Sequence, residues 1–209
     1  MLNDKDFDLW ADGYDRDVGV SDEENSYPFA GYKEVLGRIF AAVLETPNAK
    51  VLDLGFGTGT LTVKLYERGC TIFGQDFSAR MIALAKPKMP DAQLFQGNLT
   101  EGLCAPLNAQ RYDCIVATYS LHHLTDEQKI SLLNTLADLL NPGGKILIGD
   151  VAFTTREALE DCREKAGDEW DDEEIYFVAD ELKTAFTDLS FMPVSFCAGI
   201  LTLSRQRRG

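Results

Sequence analysis

The stretch VLDLGFGTGTL, Val51 to Leu61, decides how the rest of the chain is read. A short apolar run ends in an acid, Asp53. Three glycines follow at every second position, Gly55, Gly57 and Gly59, before a helical pattern begins. Glycines there let the main chain turn sharply and let a ligand come close to it. The helix beyond leaves N–H groups without intrahelical partners at its start. The run reads as a nucleotide-type site at the carboxyl end of a first strand, against the plainer reading of a glycine-rich turn.

Working outward, strand and helix patterns alternate. Lys50–Leu54 is the first strand and Thr60–Glu67 a helix closed by Gly69. Thr71–Gln75 reads as a strand and Ser78–Lys86 as a helix with Ser78 as its N-cap. Ala92–Gln96 and Asp113–Thr118 are further strands, the latter with the continuous apolar core of a buried parallel strand. Asp126–Leu140 is amphipathic, with Ile130, Leu133, Leu136, Leu139 and Leu140 at helical spacing. Asn141–Gly144 stops it, and Lys145–Gly149 is a fifth strand. After Asp150 come helical stretches at 154–166 and 178–187, then a late strand pair, Val194–Phe196 and Gly199–Ser204. Residues 1–46 look helical. Alternating units of this kind predict an α/β fold, an open and mostly parallel sheet with helices on both faces.

Length and composition bound the function. The chain has 209 residues, 45% hydrophobic and 26% charged, which suits a globular protein and excludes a disordered one. Without repeats or a low-complexity linker, 1–209 reads as a single domain. It divides into an N-terminal cap (1–46), a cofactor-binding core (47–150), and C-terminal helices with closing strands (151–209). Lys and Arg number 20 against 34 Asp and Glu, for a formal net charge of −14. The excess sits in two segments, 1–26 and 156–174, which read as solvated faces or as a surface that attracts a cationic substrate. No sizeable basic cluster exists, so a nucleic-acid partner is not expected. The apolar runs are too short to span a membrane. The acidic start MLNDKDFDLW lacks the charge of an export signal, so a cytoplasmic location is expected. Cys70, Cys104, Cys114, Cys162 and Cys197 are odd in number and not at metal-ligand spacing, so reduced thiols and no metal centre are expected.

Two further features sharpen the nucleotide reading. Asp76, in TIFGQDFS, ends the second strand 21 residues after Gly55, where an acid can accept both ribose hydroxyls of an adenosine group. Phe77 can lie against the adenine ring. Asn98, in FQGNL, offers an oxygen to the adenine amino group and Leu99 an apolar wall, or else Asn98 is a simple turn residue. A glycine loop with a ribose acid fits either a nicotinamide dinucleotide or S-adenosylmethionine. The dinucleotide fingerprint needs a glycine where this chain has Thr60.

The chain resembles the class I S-adenosylmethionine-dependent methyltransferases. The resemblance rests on VLDLGFGTG, Asp76, GNL, YDCIVATYSLHHL and LNPGGKILI, which follow in the family's order over roughly 50–150. FDLWADGYD near the start is similar to a small bacterial subgroup of single-domain methyltransferases. The resemblance implies a Rossmann-like, seven-stranded sheet whose last strand inserts antiparallel, S-adenosylmethionine as cofactor and S-adenosylhomocysteine as product. It places Gly55 and Gly57 against the methionine moiety, Asp53 under the loop, Asp76 on the ribose, and Phe77 and Met81 beside the adenosine. Asn98 and Leu99 fall at the adenine, and Thr118 and Tyr119 near the transferring methyl. Asn98 departs from the Asp common in the family but keeps an acceptor oxygen.

Among the aromatics before the first strand, Tyr14 and Tyr32 are candidates for reaching cofactor or substrate, since a ring face favours the sulfonium charge. No catalytic residue declares itself; His123 is carried as a candidate general base, with helix-start packing as the alternative. The sulfonium is a good leaving group, so the main task is alignment, which in ideal cases supplies roughly 7–11 kcal/mol. The expected reaction is methyl transfer to a small-molecule acceptor by a monomer or homodimer. The competing readings are a nicotinamide-dependent oxidoreductase and a non-catalytic binder of S-adenosylmethionine.

Overall fold

Alternation within each strand builds two cores. In the computed structural model, which describes residues 26–204, helix α1 (Tyr32–Leu44) precedes strand β1 (Lys50–Leu54). Val51 faces one side of the sheet and Leu52 and Leu54 the other. In β4 (Tyr112–Thr118), Cys114 and Val116 share the side of Val51, while Ile115 and Ala117 join Leu52. Successive side chains of a strand point to opposite faces, so a run that is apolar at every position demands cover on both. Val35, Ile39 and Val43 of α1 cover the first face, along with Leu65 of α2 (Thr62–Glu67) and Ala85 of α3 (Ala79–Ala85). Leu132, Leu133 and Leu136 of α5 (Asp126–Asp138), which follows the short α4 (Ala105–Asn108), cover the second.

The sheet order, with β2 (Thr71–Asp76), β3 (Gln93–Gln96) and β5 (Leu140–Phe153), is β3-β2-β1-β4-β5-β8-β7. The pairings from β3 through β5 are parallel. After α6 (Arg156–Ala166) come the two-residue β6 (Phe177–Val178), α7 (Ala179–Leu182), β7 (Ser190–Pro193) and β8 (Ala198–Ser204). β8 runs antiparallel to both neighbours, inserted between β5 and β7. This is the Rossmann-like α/β arrangement expected, with one addition. The seven strands of the main path are joined by β6, which pairs with β5 off that path and makes eight.

Caps set the helix starts. Ser78 accepts from the Met81 N–H at 3.1 Å, as its position before α3 predicts. Thr125 and Gln128 form a reciprocal capping box at the head of α5.

Several boundaries differ from the sequence reading. The first helix after the glycine loop starts at Thr62, because Gly59–Leu61 still belong to the turn. The α5 helix ends at Asp138, and Asn141–Gly144 does not separate it from a new strand. Leu140 already pairs with Tyr112, and the next paired residue, Lys145, faces Cys114. The four residues between form a bulge, held where Asn141 Nδ2 donates to Asp113 Oδ1 at 2.7 Å. The expected helix at 178–187 shrinks to α7, and 154–166 to α6. The first late strand lies at Ser190–Pro193, not Val194–Phe196. The Val194 and Ser195 amides both donate to the Ala198 carbonyl and close the hairpin turn there. Residues 1–25 of the expected N-terminal cap lie outside the described residues, as does Tyr14. Among the described residues no helix is long and apolar enough to cross a membrane.

Candidate active site

The carboxyl ends of β1 through β5 gather on one rim, the edge where open α/β sheets bind ligands. The glycine loop rises from β1. Gly55 sits at φ +71°, and its N–H donates to Gln75 O at 2.8 Å. A Cβ at Gly55 would stand 2.3 Å from the Cβ of Ser120, so the loop from β1 and the turn after β4 touch only because this side chain is missing. Ser120 Oγ fastens the same approach by donating to Leu54 O at 2.7 Å. Gly57, at φ +55°, has open space where its Cβ would be.

Asp76 lies across from that loop. Its Oδ2 accepts the Gly57 N–H at 2.8 Å and its Oδ1 the Ser78 N–H at 2.9 Å, so one carboxylate ties the loop to the head of α3. Phe77 is half-buried beside it, and Met81 is buried on the first turn of α3. At the end of β3, Asn98 Oδ1 accepts from Thr100 N at 3.0 Å, capping a short turn of helix, and the half-buried Leu99 packs on the second core. Gln75 braces this region to β2: its Nε2 donates to Gly102 O at 2.9 Å and its Oε1 accepts from Cys104 N at 2.8 Å.

Asp53 is wholly buried below the loop. Thr62 Oγ1 donates to its Oδ2 at 2.6 Å, and its Oδ1 has no hydrogen-bond partner among the described residues. Burial raises the Asp53 carboxyl to about 7, with the Thr62 hydroxyl working against that rise and the Asp76 charge adding to it.

At the end of β4, the half-buried Thr118 leads into Tyr119, a buried residue at φ +50°. A left-handed non-glycine residue of this bulk marks a backbone held by its surroundings. The ring of Tyr119 lies 5.4 Å from Phe29 and 5.0 Å from Tyr32, and Phe29 and Tyr32 meet edge-on at 6.0 Å. Thus Tyr32, proposed from sequence, does stand at the end of β4.

Beyond Tyr119 the rim becomes a chain of side chains. Asp150, fully buried in β5 just past the strand's pairing with β4, accepts from Leu121 N at 3.3 Å and Val151 N at 2.8 Å. His122 Nδ1 stands 2.6 Å from Asp150 Oδ1, and His122 Nε2 stands 3.4 Å from Glu174 Oε1. Glu174 hydrogen-bonds Tyr176, whose hydroxyl hydrogen-bonds that of Tyr27. Trp170 stacks on Tyr27 at 5.3 Å. For His122, burial favours the neutral ring, but the charge and hydrogen bond of Asp150, with Glu174, outweigh it and raise the pKa. Burial raises the carboxyl of Glu174. Burial also lifts Tyr27, to about 12.

His123 differs from its neighbour. Its side is exposed, with its ring centroid 4.2 Å from that of His122. The protein crowded against the rest of the ring, and then His122, lower it to about 4.

The structure therefore brings together, on one rim, Asp53, Gly55, Gly57, Asp76, Phe77, Met81, Asn98, Leu99, Thr118, Tyr119 and Tyr32. Sequence reasoning did not single out Asp150, Glu174 or Tyr176, and it weighed Tyr27 only among the aromatics before the first strand. Asp150 carried a signal in the sequence, since it closes an apolar run as Asp53 does. Glu174 carried none, being one acid in a run taken for a solvated face.

The comparisons bear on the fold and the family. A family model described as a methyltransferase domain matches residues 51–144. An uncharacterized methyltransferase of Anoxybacillus flavithermus is 40% identical over 154 residues, 74% of this chain and 69% of the relative. Another, of Geobacillus thermodenitrificans, is 37% identical over 198 residues, 91% of this chain and 88% of the relative. The fold is similar to that of DhpI in its complex with SAH (TM-score 0.70, 20% identity, 97% of this chain and 94% of that one). It is also similar to magnesium protoporphyrin IX methyltransferase of Synechocystis with bound SAH (TM-score 0.66, 18% identity, 85% of each chain). The fold and rim define a Rossmann-like methyltransferase. The chain belongs to the S-adenosylmethionine-dependent methyltransferase family, and the nicotinamide reading falls with that membership.

Proposed function

We propose that this protein transfers the methyl group of S-adenosylmethionine to a small-molecule acceptor bound at the ends of β4 and β5. The observation that carries the reading is the Asp76 carboxylate, fixed by the Gly57 and Ser78 amides at the carboxyl ends of β1 and β2. The residues fit the cofactor. A carboxylate offers about four acceptor sites, and an acid at the end of the second strand is suited to accept a pair of ribose hydroxyls. Gly57 presents main chain with open space beside it. The buried Asp53 Oδ1 can accept a donor from the amino-acid end.

When bound, S-adenosylmethionine supplies an electrophilic methyl on a positively charged sulfur. This chain's residues do the rest. Phe77, Met81, Asn98 and Leu99 line the adenine. Gly55, Thr118 and Tyr119 take the methionine end, and Tyr119 and Tyr32 offer ring faces to the cation. Tyr14 remains a candidate for the same wall. His123, with its pKa near 4, is neutral at pH 7 and is proposed to stand by the acceptor. The negative charge of the rim near Glu174 suits a neutral or cationic acceptor, and the chain's acidity does not suit nucleic acid. Five cysteines without a disulfide suit a reducing compartment such as the cytoplasm. We take the chain to act as one domain, as a monomer or homodimer.

The test is calorimetric titration of S-adenosylhomocysteine into the protein and into Asp76→Ala, beside NAD. We expect binding in the micromolar range, weakened at least about tenfold in the variant, which corresponds to about 1.4 kcal/mol. Failure of S-adenosylhomocysteine to bind, or equal binding by Asp76→Ala, would overturn the proposed site.

A further inference from the structure

Two rings and a carboxylate meet beside the proposed acceptor position. One ligand-type atom each from His122, His123 and Glu174 lies within 4.8 Å of the others. His122 is the pivot. Asp150 already accepts two backbone N–H groups, so its contact with Nδ1 is a donation from the ring to the carboxylate. In the neutral ring this leaves the Nε2 lone pair aimed across 3.4 Å at Oε1 of Glu174. Two acceptors so placed repel unless a cation stands between them. A proton on Nε2, which the neighbouring carboxylates favour, leaves this contact longer than the ~2.7–2.9 Å of a charge-assisted N–H···O bond. A divalent ion fits better: two donors each at ~2.1 Å from a tetrahedral ion stand about 3.4 Å apart.

We propose that His122 Nε2, His123 and Glu174 bind one divalent transition-metal ion, with Asp150 orienting His122. Two imidazoles and one carboxylate are a donor set for zinc, iron(II) or manganese(II), and a carboxylate behind a ligating histidine fixes its tautomer and orientation. Tyr176 does the same for Glu174 through its hydrogen bond. The charge of the exposed Asp171 is felt at both His123 and Glu174, which favours a cation there. His122 and Glu174 are in place at their present separation. His123, on the exposed side, completes the set by a change of side-chain rotamer.

Three protein donors leave coordination positions for water or a substrate atom. The site begins three residues after Tyr119 and rests on β5 just past that strand's pairing with β4. If the proposed methyl transfer holds, on which this step rests, the acceptor is a small molecule that offers the ion an oxygen or nitrogen.

The inference is tested with the full chain, stripped by chelator and titrated with zinc, manganese(II) and, without oxygen, iron(II). Cobalt(II) serves as a spectroscopic probe. We expect one ion per chain and visible cobalt bands that shift with ligand set. His123→Ala and Glu174→Gln should each weaken binding at least about tenfold, while Glu160→Gln on α6 leaves it unchanged. His122 is buried, so its variants can fail to fold; His123 and Glu174 keep the test clean, with unfolding curves run on each. No stoichiometric binding by any of the four ions, or binding that survives both substitutions, overturns the inference. S-adenosylhomocysteine is titrated into the same samples. If it binds and no ion does, only the metal site falls; if an ion binds at these residues and it does not, only the methyltransferase site falls.

Discussion

The two halves of the rim are built by different means. At β1 and β2 the working groups are main-chain amides and one carboxylate: Gly55, Gly57, Ser78 and Asp76 act within a short span of sequence. By β4 and β5 the rim is a linked set of side chains, Tyr27, His122, Asp150, Glu174 and Tyr176. The first half depends on a side chain left out, since a Cβ at Gly55 would stand 2.3 Å from Ser120. The second half can be rewritten one residue at a time, which is how a shared cofactor fold comes to serve different acceptors.

The contrast can be broken first at Gly55. Gly55→Ala puts a β-carbon 2.3 Å from Ser120 at a left-handed φ. We expect a loss of about 2–4 kcal/mol in stability, by urea unfolding, as the loop and the β4 turn are pushed apart. S-adenosylhomocysteine affinity should fall by ~100-fold or more, equivalent to about 2.8 kcal/mol. Affinity within a few-fold of the parent would mean that the main-chain half is not what it is taken to be.

In the other half, Asp150→Ala strips His122 and two backbone amides of their acceptor. The expected cost is about 3 kcal/mol of stability, from buried groups left unpaired. Affinity for S-adenosylhomocysteine should stay within about threefold of the parent, since no cofactor contact is assigned to this residue. A collapse of cofactor binding in the folded variant would show that the two halves are one unit.

The smallest effect sharpens the boundary between them. Asp53 holds its proton to about pH 7 in the folded chain, against 3.8 for the ordinary carboxyl. Between these values the folded state binds more protons than the unfolded one, so this residue's contribution to stability falls as pH rises through the window. Asp53→Asn removes that dependence. Its melting temperature should gain on the parent by about 5 °C between pH 5 and pH 8. Parallel melting curves across that range would show that Asp53 is ionised throughout.

The legibility of the molecule follows the same division. Most of the stretch from Val51 to Ser78 could be read because the glycine spacing, the acids near the strand ends and the Ser78 cap are local, and each has a fixed backbone consequence; only the helix start slipped, from Thr60 to Thr62. The mostly parallel sheet followed from the alternation of elements, and the antiparallel last strand from the family resemblance. What could not be read depends on residues distant in sequence. The bulge at Asn141–Gly144 exists because Asp113 on the neighbouring strand takes the Asn141 amide and the Lys50 N–H, so a stop signal became a detour within β5. Pro193 and the exposed Met192 disguised β7, an edge strand with one partner, which tolerates both. Glu174 looked like any acid of a charged run until Ile175 N, donating to His122 O at 2.8 Å, fixed the chain beside His122.

The insertion of β8 between β5 and β7 sets an order on the birth of this protein. As the chain leaves the ribosome, β1 through β5 are out well before residues 198–204. Until those arrive, β5 has a bare edge whose run ILIGDVAF is almost wholly apolar. An open apolar edge is a template for pairing with another nascent chain, and the closing contact spans some of the longer separations in the sheet, which slows it. Stalled or truncated translation that omits residues 198–204 should therefore yield aggregates seeded at β5, and chaperone demand should peak in the interval before β8 is released.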